Sequence, residues 1–307
     1  MTACAPAVQS ASPSETTGQT VSQQTIAPQD SVLPSATPTN TSLLTPTETP
    51  TPEVTATAVV TPTEDTRPLP EDWKEWPVVP EITSRVYEIY ALGQELGNDP
   101  HNFSKIGDCH SVREAFMGLF DKPGWYKLRD GREHLQESID WFSGSFDRNG
   151  YSVKGGYNAA AVLSPIWADP QTCLPGENPV ECEVRVHKPV FAFISLEVWW
   201  KGRTPEQYET YMRTIIDYLL EHGVVPILAT KADNVEGDYS LNLTSAKLAY
   251  DYNLPLWNFW RAAQELPNHG MDPVRNDGFH ISYQAWTVRS FTALETLDNL
   301  WRQVNEN

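Results

Sequence analysis

Two short segments, far apart in the sequence, hold side chains that could act together as a nucleophile and its base. The first is Gly107-Asp108-Cys109, which follows an apolar run, and the second is Asp277-Gly278-Phe279-His280. A weak nucleophile such as a thiol is activated when a histidine takes its proton, and a carboxylate can orient that histidine. The two segments therefore predict nucleophilic catalysis by Cys109, with His280 as the base and Asp277 as the orienting carboxylate.

The elements that must position these segments are predicted by the spacing of apolar residues. Helices are predicted over residues 83–97, 112–120, 204–222, 244–252 and 282–301, and strands over residues 103–106, 189–195, 224–230 and 254–257. The clearest start signal is Thr204, a helix cap with Pro205 at the first helical position and Gln207 completing a capping box.

Alternating strands and helices with right-handed crossovers predict a doubly wound, three-layer α/β fold with a mainly parallel, flavodoxin-like sheet. Continuous apolar strands such as residues 189–195 are typical of a parallel sheet that is covered on both faces. Catalytic groups in such folds collect where loops leave the C-terminal ends of the strands, and both chemical segments occupy such positions.

Composition divides the chain at about residue 80. No aromatic residue occurs before Trp73, and the N-terminal part is mostly Thr, Pro, Ser, Ala, Val and Gln. Such a segment cannot bury enough apolar surface to offset its ordering entropy. We therefore predict a disordered Thr/Pro-rich tether over residues 1–80 and one folded domain over residues 81–307.

Cys4, which follows small residues at the N-terminus, is similar to the lipidated cysteine of bacterial lipoproteins. A Thr/Pro spacer after such an anchor would hold a folded domain clear of a membrane surface. Because no basic or apolar segment precedes Cys4, we expect the rest of an export signal upstream of Met1. The prediction is an extracytoplasmic, cell-surface lipoprotein of a bacterium; the alternative is an incidental cysteine in a disordered tail.

Cys173 and Cys182 bracket a segment rich in turn-forming residues, so we predict a disulfide, which persists only in an oxidising compartment. Two separate buried thiols, or half of a metal site, are the alternatives, and they have less support because only His187 lies nearby. We predict no metal and no organic cofactor, since the histidines lack ligand spacing in the sequence and no glycine-rich phosphate loop is present.

The net charge of −18 excludes several partners. Nucleic-acid binding draws on a basic surface that this chain lacks. Direct adsorption to anionic lipid is disfavoured for the same reason, and no run of about 20 apolar residues predicts a membrane span. Contact with a membrane is therefore expected only through the anchor at Cys4.

Over about residues 100–305 the chain resembles the SGNH hydrolases, also called GDSL-type esterases and acylhydrolases. The segment from Asp277 to His280 closely fits the final sequence block of that family, and Gly107-Asp108 precedes the nucleophile position. The resemblance implies that Cys109 replaces the family's serine and that its backbone N–H contributes to the oxyanion hole. It implies a second N–H donor at Gly156.

One further position departs from the family. Where the third block of the family has an asparagine that donates to the oxyanion, this sequence has Glu197. An ionised carboxylate cannot donate, and the loss of one such donor costs about 10²–10³-fold in rate. Only a protonated Glu197, its pKa raised by burial, could donate. The change from serine to Cys109 is less severe, because a thiol beside a histidine ionises readily.

The resemblance implies an acyl or acetyl esterase. With the predicted anchor at Cys4, we expect it to be displayed on the cell surface and to act on small-molecule, glycan or lipid acyl esters, and we expect a monomer. The departures at Cys109 and Glu197 leave an alternative, a catalytically degenerate SGNH-fold module with a binding or structural role in the cell envelope.

Three other features each have two interpretations. His110 is either a second base or an exposed loop residue, and the segment 231–234 either lines a substrate pocket or caps a loop. Tryptophans such as Trp257 and Trp260 either stack on a ligand or pack in regular elements.

Overall fold

The structure is a computed structural model, and it describes residues 67–197, 204–275 and 277–306. Residues 1–66 of the predicted tether, which include Cys4, lie outside the described residues. The helices and strands in chain order are α1 Ser84–Glu95, β1 Asp99–Gly107, α2 Leu135–Trp141, α3 Pro179–His187, β2 Pro189–Ser195, α4 Pro205–Glu221, β3 Val225–Ala229, α5 Ser240–Tyr252, β4 Leu256–Trp257, α6 Phe259–Ala263 and α7 Tyr283–Glu306.

Within the described residues the four strands form one parallel sheet in the order β1-β2-β3-β4. The sheet is covered on both faces: α3, α4 and α5 pack in series on one side, and α1, α2 and α6 pack with α7 on the other. Every residue of β3 and all but the last of β2 are buried, as their continuous apolar runs predict. The predicted α/β class with a mainly parallel sheet is confirmed.

The start signal of α4 is confirmed in detail. The Thr204 hydroxyl accepts a hydrogen bond from the Gln207 N–H at 3.4 Å, and the Gln207 side chain accepts one from the Thr204 N–H at 3.3 Å. After α4 the chain turns at Gly223, whose φ is 63°. A Cβ at Gly223 would lie 2.3 Å from the Gly93 nitrogen, so only glycine allows α1 to approach this turn.

The helix predicted over residues 112–120 is wrong. Residues 112–117 form turns, and only a 3-10 helix, Gly118–Asp121, follows. Met117 adopts a φ of 64°, and a Cβ at Gly118 would lie 2.2 Å from the Arg113 carbonyl oxygen. The chain therefore reverses tightly after Cys109, and the Met117 N–H is satisfied by Ser290 of α7 at 3.0 Å.

The folded domain begins before residue 81. Residues 70–75 form a 3-10 helix against α5, in which Trp73 is only 3% exposed and its ring meets Trp260 edge-on at 5.0 Å. The Asn258 side chain donates to the Trp73 and Trp76 carbonyls at 2.7 and 3.0 Å. Composition placed residues 67–80 in the tether because the proline-rich pattern continues to Pro80, but Trp73 packs on the domain. Trp257 and Trp260 are packed in this core as well.

Trp73→Ala is expected to lower the free energy of unfolding by about 3 kcal/mol, because it leaves a large cavity between the N-terminal segment and the domain. Trp125→Ala is the matched control, since Trp125 is 72% exposed and its removal should change stability by at most about 0.5 kcal/mol. Denaturant unfolding measures both. Equal, small effects would contradict the packing of residues 67–80 on the domain.

The predicted disulfide between Cys173 and Cys182 is confirmed, with the Cα atoms 5.2 Å apart. It ties the loop before α3 to that helix, which starts with a capping box between Asn178 and Glu181. In the described part of the chain, no helix is long and apolar enough to cross a membrane.

Candidate active site

The two chemical segments meet at the C-terminal edge of the sheet. Strand β1 ends at Gly107, which pairs with Ser195 at the end of β2, so Cys109 and Glu197 leave the sheet from neighbouring strands. A Cβ at Gly107 would lie 2.1 Å from the Ser111 hydroxyl, which explains the glycine at this turn. His280 reaches the same edge from the loop that precedes α7.

The structure brings Cys109, His280 and Asp277 into one chain of contacts. The Cys109 sulfur lies 3.8 Å from Nε2 of His280, and Nδ1 of His280 lies 2.6 Å from Oδ2 of Asp277. Cys109 is 8% exposed and is not part of a disulfide. The thiol can thus pass its proton to an imidazole whose other nitrogen is held by a carboxylate.

Asp277 is held as a carboxylate by the turn that it caps. Its Oδ1 accepts the backbone N–H groups of Phe279 and His280 at 3.0 and 2.9 Å. Partial burial alone would raise the pKa of Asp277, but these bonds and the bond from the His280 ring lower it to about 2. An ionised Asp277 keeps the His280 proton on Nδ1 and leaves Nε2 to face the sulfur.

His110 is not the exposed loop residue of the sequence interpretation. It is 9% exposed, its ring stacks on Phe279 at 4.4 Å, and its Nε2 is buried with no hydrogen-bond partner among the described residues. Burial lowers the pKa of His110 well below its ordinary value, with the charge of Arg289 acting in the same direction. His110 is therefore neutral and supports the loop that carries His280.

Sequence reasoning missed Arg289, which lies in α7 beneath the Cys109 loop. Its guanidinium is buried, donates to the His110 carbonyl and, at 3.0 Å, to the Ser195 hydroxyl, and lies 4.1 Å above the Phe116 ring. Burial raises the pKa of Asp108 to about 6, against the lowering effects of the His110 N–H and of Arg289. One arginine in an amphipathic helix carries no sequence signal for this position.

Glu197 is one of three carboxylates around a single, largely buried lysine, Lys231. The Lys231 ammonium lies 2.7 Å from both Asp233 and Glu236 and 3.1 Å from Oε1 of Glu197. The other oxygen of Glu197, Oε2, is buried with no hydrogen-bond partner among the described residues. Burial raises the pKa of Glu197 well above its ordinary value, Asp233 raises it further, and Lys231 opposes both.

Gly156 and the segment 231–234 are the remaining predicted features of the site. Gly156 lies in an exposed turn just after Val153, which bridges to Gly107, and its φ of 88° favours glycine. Its N–H as an oxyanion donor stays a prediction. Within residues 231–234, Asn234 accepts the Tyr239 N–H at 2.8 Å as a loop cap, and Lys231 lines a small cavity beside Glu197. The role of this segment in a substrate pocket stays a prediction.

No family model and no curated protein matches the chain. Similar solved structures include a psychrotrophic esterase, EstA, from Pseudoalteromonas sp., with 16% identity and a TM-score of 0.44, covering 67% of this chain and 100% of that one. A GDSL-like lipase from Bacteroides thetaiotaomicron has 12% identity and a TM-score of 0.44, covering 70% of this chain and 98% of that one. An acetyl xylan esterase has 16% identity and a TM-score of 0.40, covering 63% of this chain and 97% of that one.

Proposed function

We propose that the protein is a carboxylic-ester hydrolase of the SGNH type in which Cys109 is the nucleophile. The observation that supports it is the continuous contact chain from the Cys109 sulfur through His280 to Asp277, with distances of 3.8 and 2.6 Å. Nucleophile, base and orienting group in this order are the arrangement that acyl transfer needs.

The reaction then proceeds in two half-reactions. His280 takes the thiol proton as the sulfur attacks the carbonyl carbon, and the carbonyl oxygen becomes an oxyanion. The intermediate collapses to a thioester on Cys109, and the leaving alkoxide takes the proton from His280. A water molecule, deprotonated by His280, attacks the thioester, releases the carboxylic acid and restores the thiol.

Three donors are proposed for the oxyanion: the N–H groups of Cys109 and Gly156, and a protonated Glu197. The last assignment rests on the charge balance, because Lys231 makes shorter contacts with Asp233 and Glu236 than with Glu197. Burial raises the pKa of Glu197, which favours the protonated form, and in that form the unpartnered Oε2 can donate.

Glu197→Gln is expected to keep kcat/KM for p-nitrophenyl acetate within about tenfold of the parent, because the amide still donates, whereas Glu197→Leu should lower it by about 10²–10³-fold. Steady-state kinetics with circular dichroism as a check of folding compares the two variants. A parent-like rate in Glu197→Leu would remove Glu197 from the oxyanion hole. A rate that rises more than about tenfold in Glu197→Gln would mean that an ionised Glu197 opposes the reaction.

The second candidate is a degenerate SGNH-fold module that binds a ligand or has a structural role. The observation that favours it is the pairing of Glu197 with Lys231 at the place where the family has asparagine. Assays with acetate and longer acyl esters on the parent, Cys109→Ser, Glu197→Asn and the double variant separate the candidates. Activity that appears only in the double variant would support the degenerate module.

Location and substrate class belong to the same proposal. A lipid on Cys4 would hold the domain on the outer surface of the cell, where acylated glycans and lipids are the accessible esters, and a monomer suffices because the contact chain lies within one polypeptide. Labelling of expressing cells with an alkyne fatty acid, compared with Cys4→Ala, tests the anchor. Equal labelling of both would count against it.

A further inference from the structure

The fold places a third potential ligand beside the nucleophile and its base. Donor atoms of Cys109, His110 and His280 all lie within 4.8 Å of one another, although His280 is remote from the other two in the sequence. A thiolate and imidazoles are preferred ligands of Zn²⁺, at bond lengths of about 2.3 and 2.0–2.1 Å. Two such donors on a tetrahedral ion are roughly 3.5 Å apart, close to the 3.8 Å between the Cys109 sulfur and His280.

His110 supplies an independent indication of a ligand. Its Nε2 is buried and has no hydrogen-bond partner among the described residues, and a buried polar atom of this kind costs free energy unless something binds it. The proposed catalytic mechanism does not use Nε2 of His110. One ligand atom of His110 lies within 4.8 Å of the Cys109 sulfur and of a His280 nitrogen, so its ring can join them around one ion.

The carboxylate that holds His280 also suits a metal site. Nδ1 of His280 lies 2.6 Å from the Asp277 carboxylate, the outer-shell partner that metal-binding histidines usually have. The second group of potential ligands, Cys173, Glu177 and Cys182, is different, because its two sulfurs are joined in the disulfide.

We propose that Cys109, His110 and His280 form a binding site for one zinc-class divalent cation, with the remaining coordination position taken by water. Binding replaces the thiol proton, which is released to solvent, so affinity falls as pH decreases. If the proposed hydrolase activity holds, such an ion occupies the nucleophile and the base together and blocks turnover reversibly.

Titration of the full-length, disulfide-bonded protein with Co²⁺ tests the site. We expect one equivalent to bind and to give a thiolate-to-cobalt charge-transfer band in the near ultraviolet, which excess Zn²⁺ removes. Cys109→Ser should abolish the band, His110→Gln should weaken Co²⁺ affinity at least tenfold, and Asp277→Asn by about 10–100-fold as an outer-shell change. Cys4→Ser and His134→Gln are controls, the second because its side chain is half exposed and pairs with Asp298.

A band that persists in Cys109→Ser, or that is lost in Cys4→Ser, would overturn the proposal, as would equal affinities in the parent and His110→Gln. Cys109→Ser changes a single atom and is the variant least prone to misfold. The cobalt spectrum does not depend on ester turnover, so it distinguishes failure of the metal site from failure of the proposed hydrolase.

Discussion

Cys109→Ala is expected to lower kcat/KM for p-nitrophenyl acetate by about 10³-fold or more, because it removes the atom that attacks the ester and leaves only binding and oxyanion stabilisation. Loss of His280, as in His280→Gln, should have a similar effect, and the two losses should not add, since both residues act in one proton transfer. Initial rates on purified variants measure this directly.

The matched control is Cys4→Ala, which removes a cysteine outside the described residues and should leave the rate unchanged. Cys109→Ser should fall between the parent and Cys109→Ala, because a hydroxyl beside His280 is a weaker nucleophile than a thiol of similar position. A parent that is no faster than Cys109→Ala would refute catalysis by this residue.

Lys231→Met is expected to lower the free energy of unfolding by about 3–5 kcal/mol. Lys231 is the one ammonium within 3.1 Å of Glu197, Asp233 and Glu236 among the described residues, and without it these carboxyls are left in a buried site with no counter-charge. Lys247→Met is the control: it is the same substitution on α5 at an exposed position, where about 0.5 kcal/mol or less is expected.

The loss of unfolding free energy in Lys231→Met should also depend on pH, with a definite sign. Burial raises the pKa values of Glu197 and Asp233, so the folded state holds their protons more tightly than the unfolded state does. The stability that these raised pKa values contribute is fully present below the pKa of the unfolded carboxyls, and it is lost as pH rises through the pKa of the folded ones. Because Lys231 opposes these shifts, Lys231→Met should destabilise more at pH 8 than at pH 5, and Glu197→Leu should recover part of the loss. An equal loss at both pH values would contradict the charged cluster.

Much of the architecture could be predicted because its signals are local. The capping box at Thr204 and Gln207 identified the start of α4, continuous apolar runs identified β2 and β3, and turn-forming residues between Cys173 and Cys182 indicated their disulfide. Asp277 and His280 could be paired because the segment that contains them fits the final sequence block of the SGNH hydrolases.

The charged surroundings of the site could not be predicted, because they depend on which elements meet. Lys231 and Glu197 belong to adjacent strand ends, and only the sheet order makes them neighbours. Arg289 looked like one more polar residue of an amphipathic helix, and His110 looked exposed because its partner Phe279 comes from a loop far along the sequence. The turns after Cys109 replaced a predicted helix because of the close approach at Gly118, which no periodicity reports.

The central claim, that Cys109 forms a covalent bond with an acyl group, is tested most directly by mass spectrometry of the protein quenched in acid during turnover of p-nitrophenyl butyrate. We predict one added butyryl group on the peptide that contains Cys109, labile to hydroxylamine as a thioester is and absent from Cys109→Ala. Turnover without any adduct at Cys109, or with the same adduct in Cys109→Ala, would contradict the claim.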